Sequence, residues 1–299
     1  MACISARAQY DPSFSHYWAM ETVYNPAAAG KQDKINFIGA YNMSLTGFEN
    51  NPKTMLFAVD MPFQLFGGRH GAGLKFMNDQ IGLFAHNSFT MQYDYQLKLF
   101  GGWLGVGAQF SLLSENFNGS KLQLEIPGDL AFSTSEVTGS GFDFGFGLYY
   151  RQKNWYVGAS VLHAFEPTVE LGEVNEISIG RTYYFMAGGN IRTKYPFLTI
   201  HPSVLGRSDG VGYRADGTVR VDYTHEGRVL YAGLGYSPTN SFTVYLGGTF
   251  HGAMLGYSYE IYTNGQKLGN GGHELRVGYQ TDLNLFKKGR NRHQSVRLL

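Results

Sequence analysis

His86 and Ser88 stand two residues apart in "AHNSFT", on one side of an extended chain, and a histidine beside a serine can activate the hydroxyl for acyl transfer. A lipid hydrolase would need such a pair. The simpler reading is that both are ordinary wall or rim residues, and we read the chain as a non-enzyme. The nine histidines (His16, His70, His86, His163, His201, His225, His251, His273 and His293) are otherwise scattered. No two stand at i, i+4 on a helix or beside a second ligand at metal spacing, so neither metal nor cofactor is expected. The Gly-rich pieces "GGNIRTK" and "GLGYSP" lack the following helix that a phosphate loop requires, and read as close-packed strands. The tail "KKGRNRHQSVRLL" carries five Lys or Arg and reads as a solvated end, residues 287–299. A formal net charge of +1 gives no electrostatic case for a nucleic-acid partner.

With no catalytic set to position, the informative signal is periodicity. In "SFTMQYDYQLKL", residues 88–99, Phe89, Met91, Tyr93, Tyr95, Leu97 and Leu99 alternate with Ser88, Thr90, Gln92, Asp94, Gln96 and Lys98. That is a strand with one apolar and one polar face. A soluble sandwich hides the apolar face, whereas a membrane barrel turns it to lipid and lines its lumen with the charges. The same alternation recurs through 14 segments between residues 34 and 285, most about ten residues or longer. Strands in soluble proteins usually run about five or six residues, while a tilted bilayer crossing needs roughly nine to eleven. Charged residues make up 16%, against roughly 25% in soluble domains, and the chain holds 21 Tyr, 22 Phe and 40 Gly. Such a composition suits aromatic girdles and twisted strands.

Connections add a second signal. Gly101-Gly102, Lys153, Glu226-Gly227 and His251 are short turns in one parity, and 116–138, 165–180 and 263–271 are long loops in the other. Residues 80–81, 238–239 and 62–69 break the rule. Short turns on one side and long loops on the other mark outer-membrane barrels, and an even strand count predicts both termini in the periplasm. The fold expectation is an all-β transmembrane antiparallel β-barrel over 34–286, with a short periplasmic N-terminal segment over 9–33. Its side chains would put Phe89 to Leu99 against the lipid bilayer, with Asp94 and Lys98 toward the lumen. Asp11-Pro12 and Asn25-Pro26 bracket a short helix expected near residues 12–24. Ala6-Arg7-Ala8 before Gln9 reads as the end of a signal peptide, residues 1–8, which contains the single cysteine, Cys3.

Several stretches together resemble the PorP/SprF family of type IX secretion membrane proteins. "QYDPSFSHYW", then "NPAAAG", matches its N-terminal signature through Asp11, Pro12, Phe14, Ser15, Tyr17, Asn25, Pro26, Ala27 and Gly30, with Tyr10 inserted and His16 where Gln is usual. "YVGASVLHAFEP" resembles an inner motif through Gly158, Ser160, His163 and Pro167. "GYSYE" and "GGHELRVGY" resemble the last two strands, with Tyr257, Tyr259, His273 and Glu274, and Glu260 where Asp is commoner. The resemblance implies an outer-membrane component of protein secretion, and in some relatives gliding, in Bacteroidetes. It implies cargo bearing a C-terminal sorting domain and contact with a PorK/PorN-type periplasmic ring and a PorE-like linker. The segment 9–33, with Trp18 among its aromatics, then serves either as a periplasmic docking element or as a lumen plug. The alternative function is a diffusion channel for a small or hydrophobic solute.

Overall fold

The computed structural model describes residues 10–121, 135–172, 175–238, 240–263 and 269–282. The signal-peptide remnant 1–8, the middle of the 116–138 loop and the basic tail 287–299 lie outside the described residues.

The strands are β1 (Lys34–Met43), β2 (Lys53–Leu65), β3 (Gly68–Ile81), β4 (Phe84–Leu99), β5 (Gly102–Asn118), β6 (Glu136–Arg151) and β7 (Trp155–Leu162). A small separate hairpin follows, β8 (Thr168–Leu171) and β9 (Asn175–Ser178). The wall resumes with β10 (Thr182–Gly189), extended by the short β11 (Ile191–Arg192). It continues with β12 (Leu198–Ser208), β13 (Tyr213–His225), β14 (Arg228–Ser237), β15 (Ser241–Phe250), β16 (Ala253–Tyr262) and β17 (Gly272–Asp282). Counting β10 and β11 as one wall element, 14 antiparallel strands form the wall. It closes where β1 pairs with β17, from Lys34 with Asp282 to Met43 with His273. Closure leaves no unpaired edge for lipid to meet.

The side chains resolve the two faces as expected. On β4, Met91 and Tyr93 are 50% and 46% exposed, while Asp94 is fully buried. Thr90, Gln92 and Gln96 are buried with it, and Lys98 stands exposed near the turn. The apolar stripe therefore faces outward, as membrane barrels require.

One end of the barrel carries tight turns, among them Phe66-Gly67, Phe100-Gly101, Glu226-Gly227 and His251-Gly252. The other carries the longer loops. The turn Phe66-Gly67 corrects the long connection expected at 62–69 and removes one exception to the parity rule. β2 runs through Pro62 because Pro62 lies beyond Asn36–Asp60, the last β1–β2 pair, so no partner on that side needs its missing N–H.

Residues 10–30, within the segment expected either to dock or to plug, thread the lumen. Tyr10 contacts the loop-end parts of β4 and β5, and Gly30 meets the turn-end parts of β2 and β3. Tyr10 and Asp282 consequently lie at opposite ends of the barrel, not on one side. An even strand count places β1 and β17 together, but the plug adds one more traverse before β1. The helix expected over 12–24 is also broken, into a 3-10 turn (Tyr17–Ala19), a single α-turn (Glu21–Tyr24) and a second 3-10 turn (Pro26–Ala28). The break falls at Met20, which leaves helical geometry at φ −127°, while Glu274 of the wall takes the His16 N–H; Gln92, Lys75 and Ser160 donate to the carbonyls of Thr22, Val23 and Tyr24, where the helix would end.

The hydrophobic core lies inside the barrel. Phe14, Tyr17, Met20, Val23, Tyr24, Ala27 and Ala28 of the plug pack on Ile38, Leu56, Met77, Tyr184, Met186 and Leu205 of the wall.

Candidate functional site: the plug and its seat

Two regions of the family-like pattern meet here. At the loop end, Asp11 accepts from Tyr184 Oη at 2.6 Å and lies 3.1 Å from His163 Nε2. His163 Nδ1 stands 3.0 Å from Asp143, and Arg207 donates to the Asp11 carbonyl at 3.0 Å. His163 lies just past β7, in the left-handed region at φ 52°, which turns its ring back into the lumen. Burial works against its imidazolium, but the charge of Asp11 and the bonds to Asp11 and Asp143 lift its pKa to about 10. Burial likewise opposes the Asp11 carboxylate, yet the His163 charge and the bonds from His163 and Tyr184 hold it well below the usual carboxylate range. Tyr10 donates to Glu115 at 2.5 Å and packs edge-on against His86 and His163.

A second anchor lies on β17. Glu274 accepts the backbone N–H of Ser15 at 2.6 Å and of His16 at 3.0 Å, and bonds His16 Nδ1 at 2.6 Å. Asn42, its register partner on β1, bonds it at 3.3 Å and reaches the Ser13 carbonyl at 2.8 Å. Phe14 donates its N–H to Tyr24 Oη, and Tyr17 Oη donates to the Ser203 and Asp216 carbonyls.

The third anchor is the "NPAAAG" turn. Asn25 Oδ1 caps the Ala27 N–H at 2.9 Å while its Nδ2 donates to the Leu148 and Ala159 carbonyls of β6 and β7. Wall glycines vacate the space: a Cβ at Gly147 would lie 2.0 Å from Asn25 Oδ1, one at Gly158 2.9 Å from Asn25 Nδ2, and one at Gly107 2.3 Å from Ala27 N. Gly30 adopts φ 63° and gives its N–H to Asp60 at 3.0 Å. These glycines therefore admit the plug backbone, beyond the strand twisting that composition suggested.

The motif positions thus divide. Asp11, Phe14, Ser15, Tyr17, Asn25, Pro26 and Gly30 on the plug meet Gly158, Ser160, His163 and Glu274 on the wall. Trp18 points to the turn-end vestibule, where the Arg220 guanidinium lies 3.9 Å from its ring centroid. Pro12 is half-buried, and Pro167 accepts the Ile179 N–H where the β8–β9 hairpin folds inward, burying Val169. Tyr257, Tyr259 and His273 stay outside the seat: Tyr257 bonds His273 at 2.7 Å on the outer face, and Tyr259 bonds the Asn270 carbonyl. Glu260 faces the lumen and accepts from Ser241 and Arg214. Sequence reasoning missed Lys75, Gln92, Gln96, Tyr184 and Arg207. Their signal was a polar residue on the inner face of a strand, which shows position but not partner.

His86 is occupied by Glu115, and among the described residues no hydrogen bond joins it to Ser88. Nor do the described residues group three or more His, Cys, Asp or Glu so as to hold a metal ion.

Two cavities, of about 250 and 240 Å³, open beside Trp18 toward the turn end. They share Trp18, Glu21, Lys31, Gln32 and Arg220. Lys31 pairs with Glu21 at 2.5 Å, and Glu21 also accepts from Tyr149.

Among solved structures, the CymD monoaromatic hydrocarbon channel is similar at 10% identity and a TM-score of 0.48, over 88% of this chain and 91% of that one. A Pseudomonas aeruginosa FadL homologue is similar at 12% identity and a TM-score of 0.48, over 86% of this chain and 92% of that one. No curated protein matches the chain. The family model for type IX secretion system membrane protein PorP/SprF matches residues 6–279, and the chain, an outer-membrane-type β-barrel with its own N-terminal signature seated in its wall, belongs to that family.

Proposed function

We propose that the protein is a plugged, non-enzymatic outer-membrane component of type IX secretion that works through its rims rather than through an open pore. One observation carries this reading: residues 10–30 occupy the lumen and bond to wall strands from β1 to β17 around the circumference. The tight turns face the periplasm, following the usual asymmetry of such barrels, and offer the rim to a PorK/PorN-type ring and a PorE-like linker. The loop end, capped by the β8–β9 hairpin, faces outward and meets cargo bearing a C-terminal sorting domain. The docking role once open to residues 9–33 is the weaker reading, since the side chains of residues 10–30 are largely buried against the wall.

The test pairs two measurements. Purified protein in planar bilayers shows no stable solute-specific conductance, and mild-detergent extraction of native membranes recovers periplasmic ring components with it. Solute-specific conductance from the wild-type barrel, recovered without ring components, would replace this reading with the channel.

A further inference from the structure

Among the described residues, the β8–β9 hairpin at the loop end is the only sheet outside the wall, and it has an open edge. Ile179 donates its N–H to the Pro167 carbonyl at 2.9 Å, so 167 and 179 form a hydrogen-bonded pair. Such pairs alternate along an antiparallel ladder, and the register then bonds Val169 with Ile177 and Leu171 with Asn175. The backbone groups of Thr168 and Glu170 consequently point away from β9, and those of Glu176 and Ser178 point away from β8. The β8 side is taken. It packs on β6, where a Cβ at Gly139 would collide with the Glu170 carbonyl oxygen. On the β9 side no third strand follows among the described residues, and no described backbone group bonds the outward N–H and C=O groups of Glu176 and Ser178.

The side chains define what a third strand would carry. On one face Val169 and Leu171 are buried, and Ile177 packs with Val169, Ile179 and Tyr10. On the other face Thr168, Glu170, Glu176 and Ser178 are exposed. Glu170 and Glu176 are direct register partners of the closer, non-hydrogen-bonded kind, where like charges repel. Among the described residues neither has a Lys, Arg or His within ion-pair distance. A neighbouring strand with Lys or Arg beside Glu176 relieves that repulsion, and its alternate residues flank Ile177 on the apolar face. We propose that β9 is a docking edge that takes an extended segment of a partner protein, Lys or Arg alternating with apolar residues, as the third strand of this hairpin. On the reading above, in which the loop end meets cargo, that segment belongs to the cargo; the binding itself does not depend on the secretion role.

The test uses the full chain in nanodiscs and a fluorescein-labelled KVKVTV peptide, with EVEVTV as the comparison, read by anisotropy. Saturable binding of KVKVTV is expected, with EVEVTV roughly 10-fold weaker or more. Ser178→Pro removes one outward N–H without touching a bond to β8, and should weaken binding roughly 10-fold. Ser178→Ala loses the same hydroxyl but keeps the N–H, and should bind like wild type. Residue-resolved hydrogen exchange checks the hairpin: the Ile177 and Ile179 amides stay protected throughout, and in wild type those of Glu176 and Ser178 gain protection only with peptide. If Ser178→Pro opens the hairpin, Glu176→Gln carries the comparison and should lose the preference for KVKVTV. Absence of saturable binding would show that a short, charged edge is protected against pairing, and would overturn the proposal. So would equal affinity for the two peptides, equal affinity in Ser178→Pro within an intact hairpin, or an unchanged preference in Glu176→Gln. Protection of the Glu176 and Ser178 amides without peptide would overturn it too, by showing the edge already filled by this chain or a second copy.

Discussion

Glu274→Ala should release the first third of the plug while leaving the barrel intact. The carboxylate accepts two backbone N–H groups, from Ser15 and His16, plus the His16 ring and the Asn42 amide, and it is 1% exposed. Truncation removes every acceptor at once. Each buried donor left unpaired costs about 1–3 kcal/mol, and neighbouring losses do not simply add, so about 2–4 kcal/mol is expected. The wall does not share this loss, because the strands on either side of Glu274 keep their registers, Asn42–Glu274 and Ser258–Glu274. Hydrogen exchange by mass spectrometry in nanodiscs reads the effect locally. Amides of the peptide spanning residues 13–24 should exchange roughly 30- to 1,000-fold faster, with β-strand peptides unchanged. Glu274→Gln, which keeps one acceptor oxygen, should fall between. Wild-type exchange rates in Glu274→Ala, in a fully folded barrel, would show that the plug is not held by this carboxylate and that the seat is wrongly located.

Asn25→Ala strands the Leu148 and Ala159 carbonyl contacts and the cap on Ala27, and should accelerate exchange over residues 24–30 by an amount equivalent to about 1–3 kcal/mol. Gly30→Ala places a Cβ 2.6 Å from Gly71 Cα and 2.7 Å from the Met61 carbonyl at φ 63°; lower folded yield on refolding into liposomes is expected, with a smaller loss in Gly67→Ala, which shares the left-handed backbone but meets nothing within 4 Å. Met91→Arg, at the middle of the outward face of β4, should cost about 2–4 kcal/mol in lipid, read as the refolding midpoint in urea, whereas an unchanged midpoint would reverse the assigned faces. The Asp11–His163 contact should be pH-dependent. His163 titrates above its ordinary value, so its contribution is full below about pH 6.5 and is lost as the pH climbs toward 10. Asp11 titrates below its ordinary value, so its contribution is full above about pH 4 and is lost only in strong acid. In a Trp103→Phe, Trp155→Phe background, the temperature at which Trp18 fluorescence reports plug release should therefore fall above about pH 6.5 with His163 present and stay flat with His163→Asn.

The barrel was legible because its signal repeats. Alternation such as Phe89 to Leu99 states the two faces of a strand, and one slip of register would put Asp94 into lipid, so the pattern has to be strict. Turn positions were legible where Gly follows a residue with positive φ, as at Glu226-Gly227. They failed at 62–69, where β2 runs on through Pro62, which sits where no neighbour needs its N–H. The plug was half legible. Proline brackets and aromatic residues showed that residues 11–26 form a compact element, yet nothing in a linear pattern states which wall residue each one meets. Gly107 and Gly147 read as strand-twisting glycines because the atoms they make room for, Ala27 N and Asn25 Oδ1, are 80 and 122 residues away. The helix failed because the turn at Met20 and the capture of the His16 N–H by Glu274 are set by the wall, 258 residues away in the chain.

The placement of the plug also bears on how the barrel closes. The seam between β1 and β17 joins residues 230 to 248 apart, the longest chain separation among the wall pairings and the costliest in loop entropy. Asn42 and Glu274 face each other across that seam, and both bond the plug between Ser13 and His16. The plug runs directly into β1, so it needs no search to find one side of the seam; it has only to capture Glu274 on the other. Among the described residues, its backbone N–H groups at Ser15 and His16 have no other acceptor, and the Glu274 carboxylate lies within ion-pair distance of no side chain but His16. Each group therefore lacks a partner until the first and last strands come together around residues 13–16. Docking and closure favour each other thermodynamically, which is a physical reason for an N-terminal signature and a C-terminal strand motif to occur in one chain.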